Sequence, residues 1–230
     1  MQRGARVAEE LGAGRRARPR LERERIIEVG LEITGRPGTR ALSVRDLGQR
    51  LGTDPTAVYR HFRNKEDLVL NLLDTLTARA VDAVHAPAEN WQERLVQLSE
   101  ATMSQYTAHP AVGAEAITAT THGPGEKAAV ELILDAFTLA GLQEQTAVSF
   151  YALFAQYMMA SASGLARAVI ETGSSNSSVP WFDAVPTADP TAHPLLMRLG
   201  GQLGRLQDVE VFRFGIGVIL DAAERQARSA

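Results

Sequence analysis

Residues 42–68, LSVRDLGQRLGTDPTAVYRHFRNKEDL, decide the fold of the chain. Ser43 with Asp46 three residues on is a helix start, in which side chains satisfy backbone N–H groups that lack partners in the first turn. Val44, Leu47 and Leu51 follow at helical spacing, and Gly52 supplies the residue that ends a helix at positive φ. Asp54 caps a second helix beginning at Pro55, where a missing N–H does no harm. That helix is short, Pro55 to about Phe62, with Val58 and Phe62 on one face. Asn64 with Asp67 caps a third, opening at Lys65-Glu66-Asp67-Leu68. Two short helices joined by a glycine turn form a helix-turn-helix, whose second helix reads a DNA major groove.

Two helices of an ordinary bundle share this outline, and the outer face separates the readings. Opposite Val58 and Phe62 the second helix carries Thr56, Tyr59, Arg60 and Arg63, with no acid between Asp54 and Glu66. A solvated bundle face mixes its signs; this one offers only donors to phosphates and base edges.

Arg45-Asp46-Leu47, Gln49-Arg50-Leu51-Gly52, Pro55, Val58-Tyr59-Arg60-His61-Phe62 and Asn64-Lys65-Glu66-Asp67-Leu68 together resemble the signature of the TetR family of transcriptional regulators. The resemblance covers about Arg20 to Leu70 with the family's internal spacings. It implies roles for individual residues. Arg45 matches a guanine-contacting position, and a bidentate arginine–guanine pair discriminates by roughly 1–3 kcal/mol. Tyr59, His61 and Lys65 match positions that hold phosphates, which fix register without reading sequence. Pro55, Thr56 and Ala57 begin the recognition helix, where a methyl group can meet a thymine methyl; Ser43 and Thr53 offer hydroxyl or capping contacts to the backbone. His61 also fits a packing role between helices, whereas Arg45 has no core role.

Upstream, a first helix is expected from about Leu21 to Thr34, with Ile26, Ile27, Gly30, Leu31 and Ile33 packing on the reader pair and Gly35-Arg36-Pro37-Gly38 stopping it. Residues 1–19 lack apolar periodicity and end in Arg15-Arg16-Ala17-Arg18-Pro19, a basic arm expected to be disordered, with DNA contact as its functional reading. The net charge of −3 hides a division. Through Lys65 there are 15 Lys+Arg against 8 Asp+Glu; beyond it there are 9 against 19. A basic head on an acidic body suits a protein that meets a polyanion at one end only.

Downstream the chain is helical by period, so the expected class is all-α. The helix opening at Lys65 aligns Leu68, Leu72, Leu76 and Val81, runs to Val84 and is shared between head and body. Further helices are expected over Trp91–Thr107, Pro110–Thr121, Glu126–Ala140, Thr146–Glu171, Leu195–Gly204 and Asp208 to about Arg225. The Thr146–Glu171 helix is apolar nearly all round and must be covered on both sides. Residues 173–194 form a long loop with four prolines, in which Trp181 and Phe182 act as a packing anchor or a lid. Phe212-Arg213-Phe214-Gly215 through Leu220 resembles the last helix of the tetracycline-repressor branch, which implies a four-helix dimer interface with the long apolar helix. The expected organisation is an arm at 1–19, a helix-turn-helix DNA-binding domain at 20–66, and a ligand-binding and dimerisation domain at 67–230.

Other chemistries find little support. With no cysteine there are no disulfides or cysteine-ligated zinc, which fits a reducing cytoplasm. The five histidines never stand at i, i+4; Gly123-Pro124-Gly125-Glu126-Lys127 lacks the spacing of a phosphate loop; and no nucleophile elbow occurs. No membrane span, enzyme activity, metal or cofactor is expected. In the tetracycline branch a histidine in the turn before the helix that here begins at Glu126 helps hold the chelated drug. Ala119 falls at that position, with His122 three residues later, so tetracycline is not implied. Candidate cavity residues are Thr102, Tyr106, His122, Asp135, Phe154 and Met158, each with core packing as its alternative. The expected function is a homodimeric DNA-binding regulator, a repressor released from a palindromic operator by a small-molecule effector. The rival is a small-molecule-binding helical bundle whose basic head binds RNA or an acidic protein.

Overall fold

The computed structural model describes residues 22–173, Trp181 and residues 189–229. The basic arm at 1–19, Leu21 and Phe182 lie outside the described residues. Among the described residues every element is a helix and there is no strand.

The three sequence-read helix starts are all made by side chains. Ser43 Oγ accepts from the Asp46 N–H (3.2 Å) to open α2, Val44–Leu51. Asp54 Oδ1 accepts from the Thr56 N–H (2.8 Å) to open the recognition helix, Pro55–Arg60. Asn64 Oδ1 accepts from the Asp67 N–H (2.7 Å) to open α3, Lys65–Asp82. Before them runs α1, Arg23–Thr34. The recognition helix is shorter than its apolar spacing suggests and is 3₁₀-wound, with Ala57 N–H on Asp54 O and His61 N–H on Val58 O. Pro55 has no donor and the Thr56 N–H is spent on Asp54, so the first turn is closed by the cap rather than by α-type bonds.

Two glycines set the angle between the paired helices. Gly52 takes φ +63 at the end of α2, a conformation that side chains rarely adopt. Gly48 lets the Pro55 backbone approach so closely that a Cβ there would lie 2.9 Å from Pro55 Cα. Ile26, Leu47, Val58, Phe62, Leu68 and Leu72 meet beneath this elbow as one apolar cluster.

The body comprises α4 (Trp91–Ala108), α5 (Pro110–Gly113), α6 (Pro124–Leu139), α7 (Glu144–Thr172), α8 (Pro194–Leu203) and α9 (Asp208–Arg228). The single helix expected over Pro110–Thr121 is two pieces, α5 and a 3₁₀ turn at Ala116–Thr118, and the extended Ala119 ends the run. The head's core continues into the body through Tyr106, Val112 and Ala162. A second cluster holds Leu95, Phe137, Phe154, Phe212 and Ile216. Helix α3 serves both, giving Leu72 and Leu76 to the first and Ala80 to the second.

Helices α7 and α9 pack through Tyr157, whose hydroxyl donates to Val211 O (2.8 Å) and whose ring stacks on Phe212. Both helices also leave large apolar side chains exposed, Val148 and Leu153 on α7 and Phe214 and Val218 on α9. Trp181 donates its backbone N–H to Leu206 O (2.9 Å) and borders the α7–α9 groove with Leu165 and Phe212. Its side chain is half exposed and stands away from the body cavity.

Candidate DNA interface and effector cavity

On the head, Arg45, Thr56, Tyr59 and Lys65 are exposed, and Ser43, Thr53, Pro55, Ala57 and His61 are half-buried. Ser43 and Thr56 are engaged locally, Ser43 as the α2 cap and the Thr56 hydroxyl on Asp54 Oδ1 (2.5 Å). That hydroxyl, and then the Thr56 N–H, hold the Asp54 carboxyl below its ordinary range. The side chains of Arg45, Tyr59, Arg60, His61 and Lys65 make no hydrogen bond or ion pair within the described residues, so their donors are uncommitted. Arg63 differs: it pairs with Asp67 (3.2 Å), whose carboxyl is lowered chiefly by the Arg63 N–H. Arg23 is also committed, with its guanidinium over the Phe62 ring (4.8 Å to the centroid) and bonded to Asn71 Oδ1. It props the recognition helix from below, a tie that no local sequence pattern announces.

The body encloses a cavity of about 180 Å³ between α3, α4, α6 and α7. Of the six sequence-read candidates, Thr102, Tyr106 and Met158 line it. His122, Asp135 and Phe154 are elsewhere. His122 is exposed, at φ 54 just before α6. The cavity face of α6 runs through Glu126, Ala129, Val130 and Ile133; Asp135, two residues past Ile133, falls on the outside and pairs with Arg94 (2.6 Å). Phe154 is fully buried, edge-on to Phe137 at 6.1 Å between centroids, in the adjoining core. Sequence reading missed Thr77, Thr121, Glu126, Tyr151 and Met159, which all line the cavity. Burial pushes the Tyr106 phenol up to about 12, so it stays neutral and can donate.

A polar joint ties α3 to the start of α6. Asp74 of α3, 9 % exposed, accepts from the N–H groups of Gly125 (3.1 Å) and Glu126 (2.9 Å) and lies 2.8 Å from the Thr121 hydroxyl. A carboxylate from one helix thus caps the next, where free N–H groups and the helix dipole favour negative charge. Among the described residues, no three His, Asp or Glu side chains form a metal-binding group.

The profile of "Bacterial regulatory proteins, tetR family" matches residues 26–72, and that of "Tetracyclin repressor-like, C-terminal domain" matches residues 85–226. The chain belongs to the TetR family. Within the family, it is 27% identical over 151 residues to an HTH-type transcriptional regulator of Saccharopolyspora erythraea, a match spanning 64% of this chain and 62% of that one. An HTH-type transcriptional repressor of Mycobacterium tuberculosis is 27% identical over 221 residues, 92% of this chain and 83% of its own. Among solved structures, ActR of Streptomyces coelicolor in complex with actinorhodin superposes on this TetR-family fold with TM-score 0.72 at 21% identity, covering 90% of this chain and 98% of ActR. No helix among the described residues is long and apolar enough to cross a membrane.

Proposed function

We infer that this TetR-family chain is a DNA-binding transcriptional regulator, a repressor released from its operator by a small molecule. The observation that carries the reading is the set of uncommitted donors, Arg45, Tyr59, Arg60, His61 and Lys65, spread over the capped helix starts and the recognition helix. In this proposal Arg45 reads a guanine and Pro55, Thr56 and Ala57 face base edges. Tyr59, His61 and Lys65 hold phosphates, and Ser43 and Thr53 support the backbone contact. The head at 20–66 acts through the body at 67–230, and two copies joined through α7 and α9 address a palindromic, double-stranded operator in the cytoplasm. No catalytic step is assigned to the chain.

Release follows from α3. The helix that begins at Lys65 also lines the cavity with Leu73 and Thr77 and bonds α6 through Asp74. An effector that prefers one arrangement of α3 against α6 shifts the population of head positions by its differential affinity. A complete swing needs about 10⁴-fold preference, and partial swings need less. The ActR complex with actinorhodin is a precedent for a relative of this fold holding a small molecule. Ala119 in the cavity wall, with His122 outside it, argues against tetracycline as the effector here.

Fluorescence anisotropy with duplexes from the DNA flanking the gene tests the reading. Specific binding should exceed binding to random duplex by at least about 10³-fold at physiological salt. Equal affinity for both duplexes, or preference for RNA, refutes it.

A further inference from the structure

Resting on the reading of the body cavity as the effector site, we propose that it selects an amphipathic organic cation, a protonated amine on an apolar body. Among the described residues Glu126 is the one carboxylate in the cavity wall, and no lysine, arginine or histidine lines it. The Glu126 carboxylate accepts from the Thr121 N–H (2.6 Å), the Thr121 hydroxyl (2.8 Å) and the His122 N–H (2.8 Å), and all three bonds fall on Oε2. Oε1 has no partner among the described residues, and no ion pair there neutralises the group.

A second carboxylate deepens the negative end. The Thr121 hydroxyl lies 2.8 Å from both Glu126 Oε2 and Asp74 Oδ1. A hydroxyl carries one proton and serves one of these acceptors at a time. The start of α6 offsets part of this charge through its N–H groups, but those of Gly125 and Glu126 are spent on Asp74. The rest of the polar lining accepts as readily as it donates. Thr102 is 3 % exposed, and its hydroxyl has no hydrogen-bond partner among the described residues. The Tyr106 hydroxyl points at the Met159 sulfur (3.3 Å), a weak acceptor.

An ammonium group has three donors and no acceptor, and it matches Oε1 together with these hydroxyl oxygens. A carboxylate in the same place would face Glu126 with no cation to relieve the repulsion. The remaining wall, Leu98, Ala129, Ile133, Ala155 and Met158, suits the apolar body, with the thioether adapting to its outline.

Calorimetric titration of the full-length protein with phenylbutylamine, phenylbutanol and phenylbutyrate tests the proposal, because the three probes share a body and differ in head charge. The amine should bind more tightly than the alcohol by about tenfold or more, as expected for one charge pair at a partly solvated site, and the butyrate least. Glu126→Gln should bring the amine down to the alcohol's affinity while shifting the alcohol itself less than about threefold. Val130→Lys supplies an ammonium one turn along the same helix face and should reverse the order in favour of butyrate. This second variant decides the matter if Glu126→Gln does not fold.

Equal affinity for amine and alcohol, an amine advantage that survives Glu126→Gln, or binding of none of the three probes overturns the proposal. The titration contains no DNA, so a chain that fails to bind any operator refutes the regulatory reading and leaves this readout intact.

Discussion

In the proposed interface, the exposed and uncommitted side chains of Arg45 and Lys65 make two different kinds of DNA contact. An arginine paired to a guanine edge carries sequence information; a lysine on a phosphate carries charge alone. Arg45→Ala should therefore reduce operator affinity by about 1–3 kcal/mol per half-site and leave affinity for random duplex nearly unchanged. Lys65→Ala should weaken both duplexes alike. It should also flatten the plot of log affinity against log salt by about 0.9 for each phosphate left without its cation, doubled in a two-headed assembly. Anisotropy over a salt series on both duplexes measures these quantities together. An unchanged operator-to-random ratio in Arg45→Ala removes direct readout from that residue. Arg63 and Arg23 look equivalent to Arg45 in the sequence, but their ties to Asp67 and to Phe62 with Asn71 make them supports of the head.

Between elements, small residues and polar joints decide geometry. Ala at position 48 would gain up to about 1 kcal/mol of helix propensity, yet its Cβ would meet the Pro55 backbone at 2.9 Å. Overpacking against backbone costs about 1–3 kcal/mol, so the clash wins and the recognition helix tilts. Gly48→Ala should lower operator affinity by about tenfold or more with only a modest fall in thermal midpoint. Binding equal to wild type would show that the elbow can open without consequence. His109 joins α4 to the end of α1, with its ring Nδ1 3.1 Å from Leu31 O. Burial lowers its pKa from the ordinary 6.5, partly opposed by that carbonyl, while Arg79 adds to the lowering. Below pH 6.5 the unfolded chain takes up a proton that the folded chain resists. Stability from this group is complete above that pH and is lost as pH falls toward and through the folded value. Urea melts from neutral to mildly acid pH should show that slope, and His109→Gln should remove it. Legibility in the sequence divides along the same line, between local chemistry and joints made far along the chain. Caps at Ser43, Asp54 and Asn64 act within four residues, so the head can be read directly. The cavity draws on α3, α4, α6 and α7, and which side of an all-apolar helix faces it depends on distant partners. Phe154 is therefore misplaced by one edge of α7 when its sequence alone is read. Asp135 stands out as a polar group in an apolar helix, and Arg94 of α4 accounts for it. Glu126, at the third position of α6, reads as part of a helix start and hides its place in the cavity wall.

For the whole molecule, the proposed dimer makes the face of α7 and α9 decide whether two heads act together. Phe214 is 74% exposed and Leu153 52%, with Val148 and Val218 beside them in exposure. Large apolar side chains left exposed on two neighbouring helices are candidates for burial against a second copy. Covering them in this way would relate the heads by a two-fold axis, as a palindromic operator requires. Phe214→Asp places a charge at the most exposed of these side chains and leaves the chain's own core untouched, since Phe212, Ile216 and Ile219 fill the inward face of α9. The variant should keep the wild-type helical circular dichroism and run as a 24.9 kDa species in light scattering where the wild type runs at twice that mass. It should also bind operator more weakly by several powers of ten, because a single head makes half the phosphate and base contacts. A variant that stays dimeric at micromolar concentration moves the interface away from α7 and α9. One that becomes monomeric but still binds operator at wild-type affinity breaks the link between paired heads and recognition.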